Sequence, residues 1–566
     1  MGIRFLQTFL CNEVPDGYFK VDIGREIHKW KKENSGPAVI VFDVMGMLNI
    51  PIQSNSDMVL GGRHHIVLSK YDNFFLKLKL EYGAELVFFC DGRVQKNKND
   101  VWIQRQDEKY AKTLKIFDEI EESKGSLKFV DSMRDDDFPG LTTTIHGLVN
   151  VCRRHGEFKL SMNVECDTEL SRFATMNNAV AIVADDTDFL IYEGNWKYWS
   201  ARKLNLLHLT TMEYCRPALR MALGLSQKQL PMFATLAGND IIRHDFVQPF
   251  HRQLRLTRYN RFQKLAQLVR SNNINDVASI SRAIFGSTES QFMNLVEESI
   301  TTYDIYYDHE QGTQEDLLTE RSAFETSFFT FLNGSSYYIT LMYYDLRRTD
   351  FRSYYDVVMP IVKRQIGFVR HHKNEQNYMQ TIVMKIDHTQ SHQELKIAPE
   401  YPKIQLPDLM ELTFNTQNES LTTVRFDVLA WIVFGCQEII QIEQIAPKYM
   451  VVVSALKFLL SINEITPTEA DAVLLCVHEI HQKTVPLDIS RGKVSTRSIV
   501  VSHLYSRIHN TILICFKFVG LEKFIDYLVF DGPYFIFLLK SLLSKSEEDY
   551  NDAVAGIQEQ RKFLLH

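Results

Sequence analysis

Residues 179–188 read AVAIVADDTD, a short apolar run that ends in acidic residues. The same pattern occurs at 38–44, AVIVFDV, and at 84–92, AELVFFCDG. Short apolar runs of this kind are typical of parallel strands that are buried on both faces. FKLSMNVE at 158–165 alternates apolar and polar residues and leads into a helical pattern, which indicates a further strand followed by a helix. We therefore predict an α/β sheet, and ligands of such sheets gather beyond the carboxyl ends of the strands.

The composition is that of a globular protein, with 45% apolar and 23% charged residues among 566. A chain of this length should form at least two cores. Its eight Cys are scattered without a C-x-x-C pair, which indicates a reducing compartment and neither a disulfide framework nor a zinc site. No signal peptide or bilayer-spanning stretch is apparent, so we expect an intracellular protein, nuclear or cytoplasmic, that does not enter a membrane.

The strand pattern fades after about residue 285, and long stretches with helical periodicity follow. We predict an α/β domain over 1–240, a basic helical segment over 241–285 and a mainly helical domain over 286–566. Within the last domain, 385–423 is polar and contains three prolines, so we expect a long loop there.

Carboxylates follow the predicted strands or stand where a helix begins or ends. A single Asp in such a place is most often a helix cap or a turn residue, but a set of seven in this order is harder to explain in that way. Brought together, they would repel one another and raise their own pKa values unless cations neutralised them. The chain has a net charge of −7, and these seven carboxylates account for all of that excess. The negative net charge therefore does not exclude a nucleic-acid partner. The set is Asp43, Asp91, Glu165, Asp167, Asp186, Asp188 and Asp240.

A cluster of carboxylates implies a metal centre. Carboxylate oxygens without His or Cys select Mg²⁺ or Mn²⁺, bound at roughly 2.0–2.1 Å. Two such ions about 3.5–4 Å apart can promote hydrolysis of a phosphodiester. The predicted cofactor is therefore a pair of Mg²⁺ or Mn²⁺ ions, and the predicted partner is nucleic acid, with DNA preferred over RNA.

Six short motifs together resemble the flap-endonuclease superfamily of structure-specific 5′-nucleases with a PIN-like fold, over roughly residues 1–285. LPMFATLAGND and the early LGG at 60–62 resemble the asteroid-type branch of that superfamily. The resemblance implies that 1–240 is a PIN-like nuclease domain with an arch at about 93–145, and that all seven carboxylates are metal ligands. The motifs are the initial MGI, VFDVMG around Asp43, FFCDG around Asp91, VECDTELSRFA around Glu165, ADDTDFLIY around Asp186 and LPMFATLAGND before Asp240.

The same resemblance identifies Lys98 and Arg105 with the two basic catalytic residues of the arch helix. Spacing alone puts Lys98, Arg105, Lys109 and Lys112 on one helix face, and Ile103, Tyr110, Leu114 and Phe117 on another. Such cations could stabilise charge on the scissile phosphate, although a solvated face of an ordinary amphipathic helix has the same spacing. We predict that Gly2, Lys109 and Lys112 contact nucleic acid.

Two departures from the family put the mode of substrate binding in doubt. No glycine pair follows Asp240, where the family has a duplex-binding turn; 243–270 is instead rich in Arg and Lys with interleaved aromatics. We predict a phosphate track there, the alternative being a basic amphipathic helix with its aromatics in the core. Phe5 also replaces a glycine of the usual MGI-x-G-L. The residues predicted to contact phosphate are Arg252, Arg255, Arg258, Arg261 and Lys264.

Three functions are consistent with these features. The first is a metal-dependent endonuclease that acts on branched or overhanging DNA. The second is a nuclease-like scaffold that binds RNA or protein partners through its helical half. The third is an active nuclease whose substrate is RNA, because a two-metal site reads phosphate geometry and the sequence does not locate the groups that would sense a 2′-hydroxyl.

Overall fold

A computed structural model describes residues 2–48, 50–92, 94, 98–134, 138–141, 143–161, 165–271, 274, 276–306, 326–373, 377–403, 406–436, 442–489, 492–527 and 529–565. The chain divides into two compact units, and each unit is assembled from three separate segments. The first comprises residues 1–51, 70–92 and 151–323, and the second comprises 52–69, 93–150 and 324–566.

The strands of the first unit are β1 (Tyr18–Asp22), β2 (Ala38–Asp43), β3 (Ala84–Asp91), β4 (Glu157–Ser161), β5 (Ala181–Ala184), β6 (Lys197–Ser200) and β7 (Thr210–Tyr214). They form one sheet in the order β1-β7-β6-β5-β2-β3-β4. The five neighbouring strands β4, β3, β2, β5 and β6 are parallel to one another, whereas β7 is antiparallel to both β6 and β1. The predicted mostly parallel α/β sheet is therefore confirmed.

The helices in chain order are α1 (Leu6–Glu13), α2 (Ile23–Glu33), α3 (Val44–Met47), α4 (Asn55–Val59), α5 (His64–Leu80), α6 (Asn99–Glu122), α7 (Lys128–Ser132), α8 (Ile145–His155), α9 (Cys166–Met176), α10 (Arg216–Leu223), α11 (Leu230–Ala237), α12 (His244–Gln253), α13 (Arg261–Arg270), α14 (Val277–Phe285), α15 (Ser290–Thr301), α16 (Thr326–Asn333), α17 (Tyr354–Arg370), α18 (Leu409–Phe414), α19 (Thr422–Phe434), α20 (Pro447–Ser461), α21 (Pro467–Gln482), α22 (Thr496–Phe518), α23 (Gly532–Leu543), α24 (Glu547–Ala553) and α25 (Gln558–Leu565). Among the described helices, none combines the length and the apolar character needed to cross a bilayer.

The central strand β2 shows why the predicted strands form. Its first five residues, AVIVF, are buried and only Asp43 at its end is partly exposed. Such a run needs cover on both faces of the sheet, and helix α9 supplies part of it by packing on β2, β3 and β5. The acidic residue at the strand end is left at the edge of the sheet.

The helices that follow the sheet belong to the same core as the sheet. Val247 of α12, Phe262 of α13 and Val296 of α15 are buried in one cluster with Ile3 and Ile182. The first unit therefore continues well beyond the predicted boundary at 240, because the apolar faces of these helices are buried in its core. The predicted arch region, about 93–145, is grouped with the second unit and not with the sheet.

The second unit is mainly helical, as predicted, but it also contains a three-stranded sheet. Its strands are β8 (Tyr337–Tyr338), β9 (Gln380–Met384) and β10 (Gln393–Ile397), in the order β10-β9-β8. The prediction of one long loop over 385–423 is wrong, because β10 and α18 lie within it. QELKI alternates polar and apolar residues and pairs with β9, whereas the three prolines confine irregular backbone to the stretch between β10 and α18.

Candidate functional site

The predicted ligands lie at strand ends and at the boundaries of helices. Asp91 is the last residue of β3, and Asp43 ends β2 and begins α3. The Asp43 carboxylate accepts hydrogen bonds from the backbone N–H groups of Met45 and Gly46, at 2.9 and 3.0 Å. Asp186 caps a short turn in the same way and accepts from the N–H of Asp188 at 3.0 Å. These carboxylates are therefore held in place by local backbone hydrogen bonds as well as by the sheet.

The other ligands are positioned by helix ends. Glu165 immediately precedes α9 and Asp167 lies in its first turn. Asp240 follows α11, which has Pro231 in its first turn and ends at Gly238, whose φ is 86°. The Asn239 side chain accepts from the N–H groups of Ile241 and Ile242, at 3.1 and 2.9 Å, and so shapes the turn around Asp240. The helix predicted from PMFATLAGND is confirmed.

Electrostatics show that the seven carboxylates form one group. Burial, together with the charges of Asp91 and Asp186, raises the pKa of Asp43 to about 7. Burial likewise raises the pKa of Asp188 to about 8, with further contributions from Asp186 and Asp240.

Asp167 connects the remaining members. Burial raises its pKa well above the ordinary value, and the charges of Asp186, Asp43, Glu165 and Asp91 add to this. Mutual repulsion of this kind was expected of a metal-binding set without its cations. We call these seven residues the acidic cluster.

The acidic cluster is defined by this mutual repulsion and not by a closed coordination geometry. Within the described parts of the chain, no three His, Cys, Asp or Glu side chains converge closely enough to hold a metal ion. The donor set is nevertheless chemically uniform, since every member offers carboxylate oxygen, the ligand that Mg²⁺ and Mn²⁺ prefer.

Gly2 lies against two members of the acidic cluster. Its φ is +39°, and a Cβ added there would be 2.5 Å from Asp188 Oδ1, 2.6 Å from Asp186 Oδ1 and 2.3 Å from Thr187 Oγ1. Each distance is shorter than any real Cβ contact, so a side chain at this position would displace the carboxylates. The predicted contact of Gly2 with nucleic acid is untested, but the residue does border the acidic cluster.

Tyr303 is a neighbour of the acidic cluster that the sequence did not reveal. Its hydroxyl donates to Asp188 Oδ1 at 2.9 Å and accepts from the Asn239 amide at 3.3 Å. The same amide donates to Ser299 Oγ at 2.9 Å. Tyr303 is 115 residues from Asp188 in the chain, so no local pattern could have connected them.

The predicted arch helix exists as α6, with Lys98 directly before its first residue. Tyr110 and Phe117 are buried as expected, and Arg105, Lys109 and Lys112 are half-buried. Burial lowers the pKa of Lys109, and the charges of Arg105 and Lys112 lower it further. These three cations therefore share one face of α6, as the spacing predicted. α6 lies in the second unit, and a role of its cations in catalysis stays a prediction.

The basic segment 243–270 forms helices α12 and α13 and the loop between them. Arg252, Arg255, Arg258 and Lys264 are exposed, as a phosphate track requires. Tyr259 is 79% exposed and Phe246 is 40% exposed, whereas Phe250 and Phe262 are buried in the core. The exposed aromatics are therefore consistent with a phosphate track, and the buried ones with an amphipathic helix whose aromatics lie in the core.

Arg261 does not belong to this exposed set, and the prediction that it contacts phosphate is not supported by its position. It is only 8% exposed, and its guanidinium donates to the carbonyl of Arg4 at 3.1 Å and to the carbonyl of Ala237. Burial lowers its pKa to about 10. Its side chain is occupied in joining α13 to the start of the chain and to the end of α11.

The mostly parallel seven-stranded sheet, with helices on its faces and acidic residues at its carboxyl edge, places the first unit in the α/β class of proteins. Similar solved structures include the catalytic core of Rad2 in complex with DNA substrate, which is 15% identical with a TM-score of 0.27 and matches 56% of this chain and 85% of that one. Human GEN1 in complex with Holliday junction DNA is 12% identical with a TM-score of 0.30 and matches 72% and 90%. These similarities concern the fold alone.

The relatives found by sequence are not named as nucleases. A family profile described as FAM120A-like domain matches residues 223–306. The constitutive coactivator of peroxisome proliferator-activated receptor gamma of Bos taurus is 29% identical over 255 residues, which is 44% of this chain and 35% of the relative. The Homo sapiens protein of the same name is 30% identical over 256 residues, or 44% and 27%.

This chain therefore spans about a third of the length of these curated relatives. The profile match covers α11 to α15, the region that holds Asp240, the basic segment and Tyr303. These relatives give no support to the narrower assignment to the asteroid branch.

Proposed function

We propose that this chain is a divalent-metal-dependent nuclease that hydrolyses phosphodiester bonds in branched or overhanging DNA. The observation that supports the proposal is the acidic cluster at the carboxyl edge of the sheet, whose seven carboxylates come from five separate stretches of the chain. Burial and the charges of the other members raise the pKa values of Asp43, Asp167 and Asp188. So much negative charge is costly in a folded protein unless a ligand of opposite charge compensates it.

The residues divide into two proposed groups of ligands. Asp43, Asp91, Glu165 and Asp167 would hold one Mg²⁺ or Mn²⁺, and Asp186, Asp188 and Asp240 a second, with sharing between the groups. When bound, such ions supply an activated water and stabilise the charge on the leaving oxygen. The backbone hydrogen bonds hold both carboxylate oxygens of Asp43 and one of Asp186, so that these ligands need little reorganisation.

The cations are proposed to bind the substrate. Lys98 and Arg105 would stabilise charge on the scissile phosphate, and Lys109 and Lys112 would extend this surface along α6. The pKa of Lys109 is lowered first by burial and then by the charges of Arg105 and Lys112, and grouped cations of this kind favour an anion beside them. Arg252, Arg255, Arg258 and Lys264 would contact the backbone phosphates.

The decisive experiment is a cleavage assay with Mn²⁺ or Mg²⁺ on flap, overhang, single-strand and hairpin substrates, each made in DNA and in RNA. Asp186→Asn keeps a side chain that can cap the turn but removes the charge, and it should lower cleavage by at least about a hundredfold, since loss even of outer-shell partners of a metal costs 10–100-fold. Binding of the substrate should persist.

Asp185→Asn is the matched control for this experiment. It makes the same change one residue earlier, but the Asp185 carboxylate accepts from Ser200 Oγ at 2.7 Å and from the N–H of Arg202, away from the proposed ligands. It should cleave like the wild type. Cleavage of RNA substrates alone would move the proposal from DNA to RNA, and no cleavage of any substrate would contradict it.

A second candidate is a nuclease-like scaffold that binds RNA or protein partners through the second unit. The observation that favours it is that the sequence relatives are named as coactivators, while the FAM120A-like profile matches the region of Asp240 and Tyr303. A wild-type protein that binds Mn²⁺ and nucleic acid but cleaves nothing would support the scaffold over the nuclease.

A further inference from the structure

Phe5 is an exposed aromatic residue with an unusual backbone conformation. Its side chain is 47% exposed, and its φ of 71° and ψ of 4° lie in the left-handed region that favours glycine. A bulky residue is uncommon there, and strained positions of this kind concentrate at functional sites. The backbone of Phe5 is held by the first turn of α1, where the N–H of Phe9 donates to its carbonyl at 3.0 Å.

Two guanidinium groups flank the ring of Phe5. The Cζ atom of Arg4 is 4.9 Å from the ring centroid, and that of Arg258 is 5.9 Å from it. The hydrogen bond from Arg261 to the carbonyl of Arg4 fixes this segment against α13. Tyr259, which follows Arg258 in the chain, is 79% exposed. The surface therefore combines exposed aromatic rings with positive charge.

This surface begins next to the acidic cluster. Gly2 lies three residues before Phe5 and approaches the carboxylates of Asp186 and Asp188 so closely that it has no space for a Cβ. Arg4 and Phe5 therefore continue directly from a segment that borders the proposed metal ligands.

We propose that Phe5, together with Arg4, Arg258 and Tyr259, binds unpaired nucleotides of a single-stranded nucleic acid beside the acidic cluster. An exposed ring stacks on any base, while neighbouring guanidiniums contact the phosphates and stack on the rings. The positive charge of the surface is complementary to a nucleic acid, and Arg258 also belongs to the phosphate track described above. This inference rests on the proposed function in that it names the strand that is held beside the site.

The test is a binding titration by fluorescence anisotropy in buffer with EDTA, where a metal-dependent enzyme cannot cut the probe. The probes are a labelled oligothymidylate, a labelled oligouridylate and a blunt DNA duplex. Phe5→Leu keeps apolar bulk but removes the ring, and it should weaken binding of single strands by about tenfold, the order expected for loss of base stacking. Binding of the blunt duplex should not change.

Phe19→Leu is the matched control, because Phe19 is 40% exposed on strand β1, and it should leave all three affinities unchanged. Phe5→Gly tests for a purely structural role. Glycine adopts the observed φ without strain, so the melting temperature should be equal or higher while binding of single strands falls as in Phe5→Leu.

Two results would overturn the inference. One is wild-type affinity for single strands in both Phe5 variants, and the other is an equal loss of affinity for the blunt duplex. The two DNA and RNA probes show which single strand is held. A wild-type protein that binds single strands through Phe5 but cleaves nothing with Mn²⁺ would contradict the nuclease and leave this inference intact. Normal cleavage by the wild type, together with unchanged affinity for single strands in Phe5→Leu, would support the nuclease and contradict this inference.

Discussion

At the scale of single residues, the carboxylates of Asp43 and Asp186 combine two tasks. Each caps a turn through backbone N–H groups, which is the usual reason for an Asp after a strand. Each is also close enough to the other carboxylates to raise their pKa values. The cap explains why each is an acidic residue in its local structure, but it does not explain why seven acids gather in one place.

Tyr303 provides a test of whether residues beside the acidic cluster contribute to metal binding. Tyr303→Phe removes the hydroxyl that donates to Asp188 and should weaken Mn²⁺ binding and cleavage by roughly 10–100-fold, as for other residues that orient a metal ligand. Calorimetric titration with Mn²⁺ measures the first effect directly. Tyr306→Phe, which changes a 63% exposed side chain, should behave like the wild type. Equal metal affinity in both variants would assign Tyr303 a packing role.

Substitution of Arg261 should destabilise the fold, whereas substitution of Arg258, three residues earlier, should not. Arg261→Ala leaves the buried carbonyl of Ala237 and the partly buried carbonyl of Arg4 without this donor, and it should lower the free energy of unfolding by about 2 kcal/mol. Arg258→Ala, at an exposed position, should change it by less than about 0.5 kcal/mol. Urea denaturation measures both values. Similar stability of the two variants would show that the contacts of Arg261 contribute little.

At the scale of elements, the exposed part of 243–270 is best tested by salt dependence. Replacing Arg252, Arg255 and Arg258 by Ala should weaken binding of all sequences alike and make the plot of log Kd against log salt concentration shallower, by roughly one unit for each lost phosphate contact. Fold and metal binding should survive. An unchanged slope in a folded variant would contradict the phosphate track, and the cations of α6 would then be the next candidates for phosphate binding.

The central strands could be predicted because their signal is local. β2, β3 and β5 are apolar runs buried on both faces, and a carboxylate follows each of them. β1, β6 and β7 were not predicted, because none of them is a continuous apolar run and they are defined by pairing, for instance of β1 with β7 far along the chain.

The candidate site divides in the same way. The acidic residues could be named from the ends of strands, which a parallel sheet brings to one edge. Arg261 was assigned to the wrong surface, because a spacing of three residues between basic side chains does not show which side of α13 is buried. The contact of Tyr303 with Asp188 joins residues that are 115 positions apart, so it depends on tertiary packing, which includes that of α15 against α11.

At the scale of the whole molecule, the raised pKa values predict how stability depends on pH. The pKa values of Asp43 and Asp188, about 7 and about 8 in the folded protein, exceed the ordinary Asp value of 3.8. The folded state therefore binds more protons than the unfolded state between these limits, and without metal its stability should fall as pH rises from about 4 to about 8.

Bound cations should reverse this loss. Mn²⁺ requires deprotonated carboxylates, so it should raise the melting temperature more at about pH 8 than at about pH 5. Differential scanning fluorimetry with and without Mn²⁺ at both pH values is sufficient, and Asp186→Asn should respond less. A melting temperature that rises with pH in metal-free buffer would contradict the prediction.

The segmented units predict that a simple truncation will fail. In a chain that ends at residue 323, segments 52–69 and 93–150 would lose their partners in the second unit, such as Ser502, whose hydroxyl donates to the carbonyl of Leu60 at 2.7 Å, and Asn510, which donates to that of Thr143 at 2.9 Å. We expect this fragment to aggregate and to be cleaved rapidly by proteases. The same fragment with flexible linkers in place of both segments should remain folded, since the first unit has its own core. Equal behaviour of the two fragments would contradict this.

The division of each unit into three segments also affects how the units can be gained or lost during evolution. A domain formed by one continuous stretch can be gained or lost when genes are joined or shortened at a single point. Neither unit of this chain has that freedom, because residues 52–69 and 93–150 lie inside the stretch that forms the first unit but belong to the second. One joining or shortening of genes therefore cannot separate the two units, and a relative that lacked the second one would also have to lack two internal segments, 52–69 and 93–150.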